Sequence, residues 1–522
     1  MNEHFLSMCV AQHGKLRSGR TALVDGAGRL TWGELARQVE RAANAMRAAG
    51  LQHGDRVGQL LANGRDALVV ALATWRLGCV GVPLSPLLTP DQMSGLLADA
   101  EVKGFMAGAP YGDIAHAVRV SAGTRKFAIG FADAEFIDWL RCLDEAPDQR
   151  ASFSGLAGHD EATIIYSSGT TGTPKGIVHS LAARQHMAVA LALALRFDDR
   201  SVALVATPLA SNATWTMILP TLLLGGTLIW LPMFSPAAWM TALAEHDATH
   251  AFCVPVMLQA LLAVPGFENI EVPRLRMLVS AGSALPAKVK QDVMARLGPV
   301  LFELYGCTEG IGTVAPPEMP EDKAGSVGQA LPGAEIAILD GEGRIAAPGI
   351  PGEVIGRSPA LMEGYRRRPD ATAEVLWTDP EGRIWLRTGD IGVLDEEHYL
   401  TLKDRVKDMI LSGGLNVYPA DIECVLAQRD DLVESSVIGI KHDKWGEVPA
   451  AVIRVKPGTS MSIDDLMNWV NERVAKHQRL AAVWIADRPL PRNALGKVLK
   501  RELRSELSDC LEVQSRSRLN SA

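Results

Sequence analysis

Apolar residues recur along the first hundred positions in two alternating rhythms. Short apolar runs at 21–24, 56–61 and 80–84 read as strands. Between them the spacing predicts a helix that runs to 49 and stops at Gly50, and a second over 66–77 that stops at Gly78. Thr31 stands where the first helix needs its N-cap, and Glu34 follows three residues on, the signature of a capping box. Alternation of this kind predicts parallel sheets covered by helices. The pattern goes on with strands near 201–206, 227–231, 251–254 and 277–280, and a helix over 181–195. From about 325 to 400 the texture changes. Pro332-Gly333, Pro348-Gly349 and Pro351-Gly352 punctuate short β runs, so a small antiparallel or barrel-like subdomain is expected there. The run 403–408 is charged except for Val406 and reads as a hinge. Beyond it, helices at 419–429 and 462–473 mix with strands at 436–440 and 450–455. The expected organisation is an N-terminal domain 1–405 with its β-rich part at about 325–402, a hinge at 406–408 and a C-terminal domain 409–522.

Composition narrows the class. A chain of 522 residues is too long for one core. Its 48% hydrophobic and 21% charged residues suit a soluble globular enzyme. A net charge of −8 argues against a nucleic-acid binder, which would carry a basic face. The seven cysteines are scattered with no C-x-x-C pair, which points to reduced thiols in the cytoplasm and to neither a zinc ribbon nor a disulfide framework. No signal peptide is expected, because residues 1–10 lack a basic flank followed by an apolar core. Residues 201–244 hold no charge, but Pro208, Pro220, Pro232 and Pro236 interrupt them, so buried strands and a short helix are expected rather than a transmembrane segment.

One run carries more chemistry than any other. Tyr166-Ser167-Ser168-Gly169-Thr170-Thr171-Gly172-Thr173-Pro174-Lys175-Gly176 packs three glycines, five Ser/Thr hydroxyls and one lysine into eleven residues. Glycines let the backbone approach a ligand closely, and hydroxyls, freed N–H groups and a lysine all suit phosphate oxygens. Apolar runs at 162–166 and 176–179 flank it, so it reads as a loop between strands built to hold a polyphosphate. A nucleotide loop of the G-x-x-x-x-G-K-[ST] type fails, since Gly176 follows Lys175 and a strand follows in place of a helix.

At this point the chain resembles the acyl- and aryl-CoA synthetases of the adenylate-forming superfamily, whose relatives include luciferases and peptide-synthetase adenylation domains. The resemblance spans about residues 15–505, with motifs in the family's order. It implies an α/β fold: a large N-terminal domain of stacked αβαβα sheets with a small β-barrel-like subdomain, and a small mobile α+β C-terminal domain. It implies ATP, Mg²⁺ and coenzyme A as cofactors and a small carboxylic acid as substrate. ATP/AMP contacts would come from Ser167, Ser168, Gly169, Thr170, Thr171, Gly172 and Lys175 of the first loop, and from Gly282, Ser283 and Ala284 of Ser280-Ala281-Gly282-Ser283-Ala284. In Tyr305-Gly306-Cys307-Thr308-Glu309, Tyr305 and Gly306 would line the adenine, Thr308 would touch the α-phosphate and Glu309 would ligate Mg²⁺, while Cys307 reads as a small packing residue. Asp390, after a Thr-Gly turn, and Arg405 would hold the ribose. Lys407 falls on the hinge position. Pro491-Arg492-Asn493-Ala494-Leu495-Gly496-Lys497 matches the C-terminal motif whose lysine, Lys497, reaches the reacting carboxylate and α-phosphate. Ser412, Gly413 and Gly414 would border the pantetheine arm, and Trp445 would pack on it. Homodimers are common in the family, and one is expected here by analogy.

The chain departs from the family at the acyl pocket. Pro208-Leu209-Ala210-Ser211 replaces a Pro-Leu-aromatic-His motif, and Trp215 is expected to fill the space. Ser211, Asn212, Trp215, Val254, Met257, Ala281, Gly306 and Ile311 are the expected lining, with Gly306 leaving room for more than acetate. No Arg or Lys stands out to pair with a second substrate carboxylate, so a medium-sized monocarboxylic acid, fatty, alicyclic or aryl, is expected. His477-Gln478-Arg479-Leu480 replaces an aromatic-Lys-x-Pro motif among the coenzyme A contacts. Two other readings remain: a stand-alone adenylation enzyme that loads a carrier-protein phosphopantetheine, and a catalytically inactive nucleotide-binding sensor of the same fold. Retention of Lys497, Glu309 and Asp390 speaks against the sensor.

Overall fold

Thr31 caps the helix Trp32–Ala48 as its spacing predicts: its hydroxyl accepts from the Glu34 N–H at 3.2 Å, and the Glu34 carboxylate accepts from the Thr31 N–H at 2.8 Å. The helix Arg65–Leu77 ends on left-handed Gly78, the usual C-terminal device. The structure, a computed structural model, describes residues 5–149, 156–167, 174–413, 415–442, 444–459, 461–492 and 498–507. Two compact units divide the chain: Met1–Ile336 with Gly356–Leu386, and Ala337–Ile355 with Arg387–Ala522. The β-rich stretch around 325–402 is therefore shared between them.

The first unit is α/β, built on two large sheets. In one, the neighbouring strands Leu301–Gly306, Met277–Ala281, His250–Cys253, Val202–Val205, Thr227–Trp230 and Thr21–Asp25 are all parallel, and antiparallel strands finish both edges. In the other, Arg56–Leu60 lies between parallel Val80–Pro83 and Gly104–Gly108, and Glu161–Ser167 adds to Val80–Pro83. Parallel strands covered on both faces need near-continuous apolar runs, and these have them: Phe105, Leu204, Ile164, Phe252 and Leu278 are wholly buried. Helices of the two sheets meet through Trp75 of Arg65–Leu77 and Trp215 of Trp215–Leu224, whose rings stack at 5.1 Å. Residues 201–244 form buried strands and helices, and no helix among the described residues is long and apolar enough to cross a membrane.

The second unit holds a smaller sheet in which Leu432–His442 and Gly446–Val455 form a long antiparallel ladder and Ala482–Ile485 adds in parallel. Helices Pro419–Leu426 and Ile463–Asn471 bury Ile422, Leu426, Leu466 and Val470 against Ile410, Val437 and Ile453. The charged run 403–408 is less of a loop than its composition suggests. Lys403, Asp404 and Arg405 close the strand Leu400–Arg405, and the Asp404 carboxylate accepts from the Ala420 N–H at 3.0 Å. Burial pushes that carboxyl up from its ordinary range.

Candidate functional site

Four adjacent parallel strands of the large sheet end at one edge, and the candidate residues follow those ends. Ser211, Asn212 and Trp215 come after Val202–Val205, Val254 directly after His250–Cys253, and Gly282, Ser283 and Ala284 directly after Met277–Ala281. Tyr305 and Gly306 end Leu301–Gly306, and Thr308, Glu309 and Ile311 follow. Ligands of open α/β sheets bind at such carboxyl ends. Gly282 adopts φ +97°, which a side chain would strain.

In the other sheet, Ser167 and Lys175 face each other at the mouth of the phosphate-type loop, as the last residue of Glu161–Ser167 and the first of Lys175–Ser180. The flanks are therefore strands, as the sequence implies. Ser168, Gly169, Thr170, Thr171 and Gly172 lie outside the described residues, as do Gly414 and Lys497.

Contacts join the strand Lys175–Ser180 and the segment 362–365 to the Thr308–Glu309 segment. His179 Nε2 lies 2.7 Å from the Thr308 carbonyl, and the Met362 N–H donates to the Glu309 carbonyl at 2.8 Å. The two-residue strand Gly364–Tyr365 pairs antiparallel with Lys175–Ser180. It places Tyr365 so that its hydroxyl donates to Glu309 Oε1 at 2.8 Å, while Lys175 Nζ lies 4.7 Å above its ring. Burial, then the Glu309 charge, hold that phenol protonated far above its usual range. Burial, then the nearby Arg184, hold His179 well below the imidazole range, so the ring is neutral. A neutral ring bonded to a carbonyl carries its proton on Nε2, which makes Nδ1 an acceptor.

The expected acyl lining is part core. Trp215 is 1% exposed, with one face on Trp75 and its Nε1–H donating to the Leu209 carbonyl. Val254 and Ile311 are buried as well. Gly306 serves the backbone first: a Cβ there would sit 2.6 Å from the Ile311 carbonyl oxygen. Cys307 packs against Ile177, Ile311 and Met362, as a small packing residue would.

Sequence reasoning missed three residues here: Tyr365, His179 and Arg184. Arg184 bears on the expectation that no Arg or Lys stands out to pair with a second substrate carboxylate. It is fully buried on the helix Leu181–Ala194, with Nη1 donating to Asn212 Oδ1 at 2.8 Å and its guanidinium 5.2 Å from the Trp215 ring centre.

In the second unit, Asp390 and Arg405 face each other across an antiparallel ladder, with Arg405 Nε 3.1 Å from Asp390 Oδ1. The Thr-Gly turn expected from the sequence is instead part of the strand Ile384–Leu394: the Asp390 N–H donates to Thr388 Oγ1, and Gly389 between them holds φ +71° within the strand. Lys407 follows the strand Leu400–Arg405, and Ser412 ends the strand Ile410–Ser412. Gly413 donates to the Trp445 carbonyl at 2.8 Å, and a Cβ on it would press to 2.7 Å from the Trp445 ring. Trp445 stays 46% exposed with Lys444 beside its face, so an apolar surface and a cation are both open to a ligand.

Residues 10–366 match the AMP-binding enzyme family, and residues 421–497 match the AMP-binding enzyme C-terminal domain. The chain is 32% identical over 482 residues to the long-chain-fatty-acid–CoA ligase FadD13 of Mycobacterium tuberculosis, covering 92% of this chain and 93% of that protein. It is 33% identical over 509 residues to a feruloyl-CoA synthase of Amycolatopsis, covering 97% and 99%. The ATP-bound structure of MatB from Rhodopseudomonas palustris superposes with a TM-score of 0.88 at 29% identity, covering 98% of this chain and 100% of that one. The chain belongs to the AMP-binding enzyme family, as an adenylate-forming acid–CoA ligase of the acyl- and aryl-CoA synthetase type.

Proposed function

We propose that the protein activates a medium-sized carboxylic acid with ATP in the cytoplasm, then passes the acyl group to coenzyme A. The observation that carries this reading is the arrangement around Tyr365. It sets the Lys175 cation and the Glu309 carboxylate against one ring, where a polyphosphate needs a cation and its metal needs a carboxylate.

In the first step a carboxylate oxygen bonds to the α-phosphorus of ATP, the bond to the β-phosphate oxygen breaks and pyrophosphate leaves. Charge builds on the phosphoryl oxygens, and fixed donors and cations that meet it there lower the barrier. Thr308, Lys175 and the loop hydroxyls would supply that field, with Lys497 at the reacting carboxylate. Tyr305 would hold adenine, and Asp390 and Arg405 the ribose. Glu309 would hold Mg²⁺, since one carboxylate oxygen takes the Tyr365 hydroxyl and the other suits a hard cation. When bound, the ion supplies positive charge that offsets the triphosphate's. In the second step the coenzyme A sulfur bonds to the acyl carbonyl carbon, losing its proton, and AMP leaves. Gly413 and Trp445 would border the thiol arm. Lys497 must be near for the first step and the thiol needs access for the second, so we assign a turning movement about Lys407 within 406–408, between domains 1–405 and 409–522. A homodimer is part of the proposal by family analogy alone.

The test is pyrophosphate release with ATP and Mg²⁺ across a panel of carboxylic acids, with and without coenzyme A, and products read by mass spectrometry. A coenzyme A thioester from one size class is the expected result. An adenylate that coenzyme A fails to discharge would shift the acceptor to a carrier protein. Silence across a broad panel would revive the inactive sensor.

A further inference from the structure

Among the described residues, Arg184 is a buried cation without an anion. Its side chain has no exposure, and burial alone lowers its guanidinium to about 9, with no carboxylate among the described residues near enough to offset the effect. Nη1 is engaged by Asn212 Oδ1 and, weakly, by Met187 Sδ at 3.7 Å. Among the described residues, Nε and Nη2 have no hydrogen-bond partner. These two nitrogens form one edge of the guanidinium, the fork that matches the two oxygens of a carboxylate. Elsewhere in the molecule that edge is used so. Arg65 places Nε and Nη2 on the two oxygens of the Asp25 carboxylate at 3.1 and 2.8 Å.

Two further polar atoms of this region are buried and unpartnered: His179 Nδ1 and Ser211 Oγ. The field of Arg184 reaches His179, whose Nε2 is fixed on the Thr308 carbonyl, so the cluster adjoins the segment assigned to the α-phosphate. On its other side Asn212 and Ser211 are only half-buried, and they belong to the expected acyl lining. A lone buried charge is costly to fold around unless something pairs with it.

We propose that Arg184 determines acyl specificity by gripping a second carboxylate of the substrate through its Nε–Nη2 edge, with Ser211 Oγ as an added donor. The substrate class is then a dicarboxylic acid, one carboxylate being adenylated and the other held by Arg184. This rests on the ligase reading and sets a dicarboxylic acid in place of the monocarboxylic acid expected from the sequence.

The experiment pairs each monocarboxylic acid with the dicarboxylic acid of the same skeleton, aliphatic and aryl, and measures kcat and KM for pyrophosphate release. The full-length protein is compared with Arg184→Met and Arg184→Lys, and melting temperatures are recorded with each acid. For the unmodified protein the best dicarboxylic acid should exceed its monocarboxylic twin at least tenfold in kcat/KM and alone raise the melting temperature. In Arg184→Met that ratio should fall about a hundredfold, mostly through KM, the scale of losing one partner of a buried charge pair. Arg184→Lys keeps the charge but loses the fork and should fall in the same direction; it decides the matter if Arg184→Met does not fold. Acids that turn over with no preference for a second carboxylate, or a ratio unmoved by both variants, would overturn the inference and leave the ligase standing. No turnover or melting shift with any acid would overturn both.

Discussion

Tyr365 does two things with one ring, and they can be separated. Its face lies under Lys175, while its hydroxyl donates to Glu309. Tyr365→Phe keeps the ring and removes the donor. A hydrogen bond to a charged group is worth about 1.5–3 kcal/mol, so kcat/KM for adenylate formation should drop by about tenfold or more. The melting temperature should change little, because the Phe ring fills the same space. Steady-state pyrophosphate release checks this, and an unchanged rate would remove Tyr365 from the site. Gly306 makes a different point at this scale. The sequence suggests room for substrate, but the structure gives the residue a prior duty, since its missing side chain lets the strands Leu301–Gly306 and Gly312–Ala315 close on each other.

Among the elements, the helix Trp32–Ala48 is held at its start by a reciprocal pair of bonds between Thr31 and Glu34. Thr31→Ala leaves one of those N–H donors unmet and should cost about 1 kcal/mol. A lower urea midpoint with an unchanged slope would show it, and an unchanged midpoint would mean the cap adds nothing. That helix was legible because cap, period and stop agree along a few residues. So were the strands that flank the loop 168–173, from their apolar runs. The helix Leu181–Ala194 was legible as a helix but not as a site. It is apolar almost all round, so periodicity cannot tell its buried face. The structure buries Leu181, Arg184, Ala188 and Leu191 and leaves Val189 and Leu193 out. A lone arginine on such a helix reads as its solvent side, and only tertiary packing turns it inward. Tyr365 was hidden for another reason: its strand, Gly364–Tyr365, is two residues long and carries no period. The order of motifs, by contrast, pointed to the superfamily before any contact was known, because backbone turns and phosphate donors need particular residues at particular places.

For the whole molecule the clearest consequence concerns acid. His13, His179 and His250 are all buried in the first unit, and burial is the main cause that lowers each below the ordinary imidazole value, His250 to about 4. Carbonyls of Leu223, Thr308 and Leu195 oppose the shift without cancelling it. The folded state therefore keeps these rings neutral, whereas the unfolded chain protonates them near pH 6.5. Stability from these groups is full above that value and is lost as pH falls, since the unfolded state takes up protons that the folded state refuses. His179 and His250 each contribute a slope of up to about 1.4 kcal/mol per pH unit, so the two together approach about 3 kcal/mol per unit towards pH 5, and His13 acts in the same direction. Asp66 and Asp404, whose carboxyls are raised by burial, act with the opposite sign. Urea midpoints measured at constant ionic strength should fall steeply from pH 7 to 5. His250→Gln, which removes one titrating ring, should flatten the slope by up to about 1.4 kcal/mol per pH unit while lowering the midpoint at pH 7, since the bonds of His250 to Thr249 and the Leu195 carbonyl are disturbed. A midpoint that stays level from pH 7 to 5 would mean that the folded molecule admits these protons, and that the buried rings open to water without unfolding it.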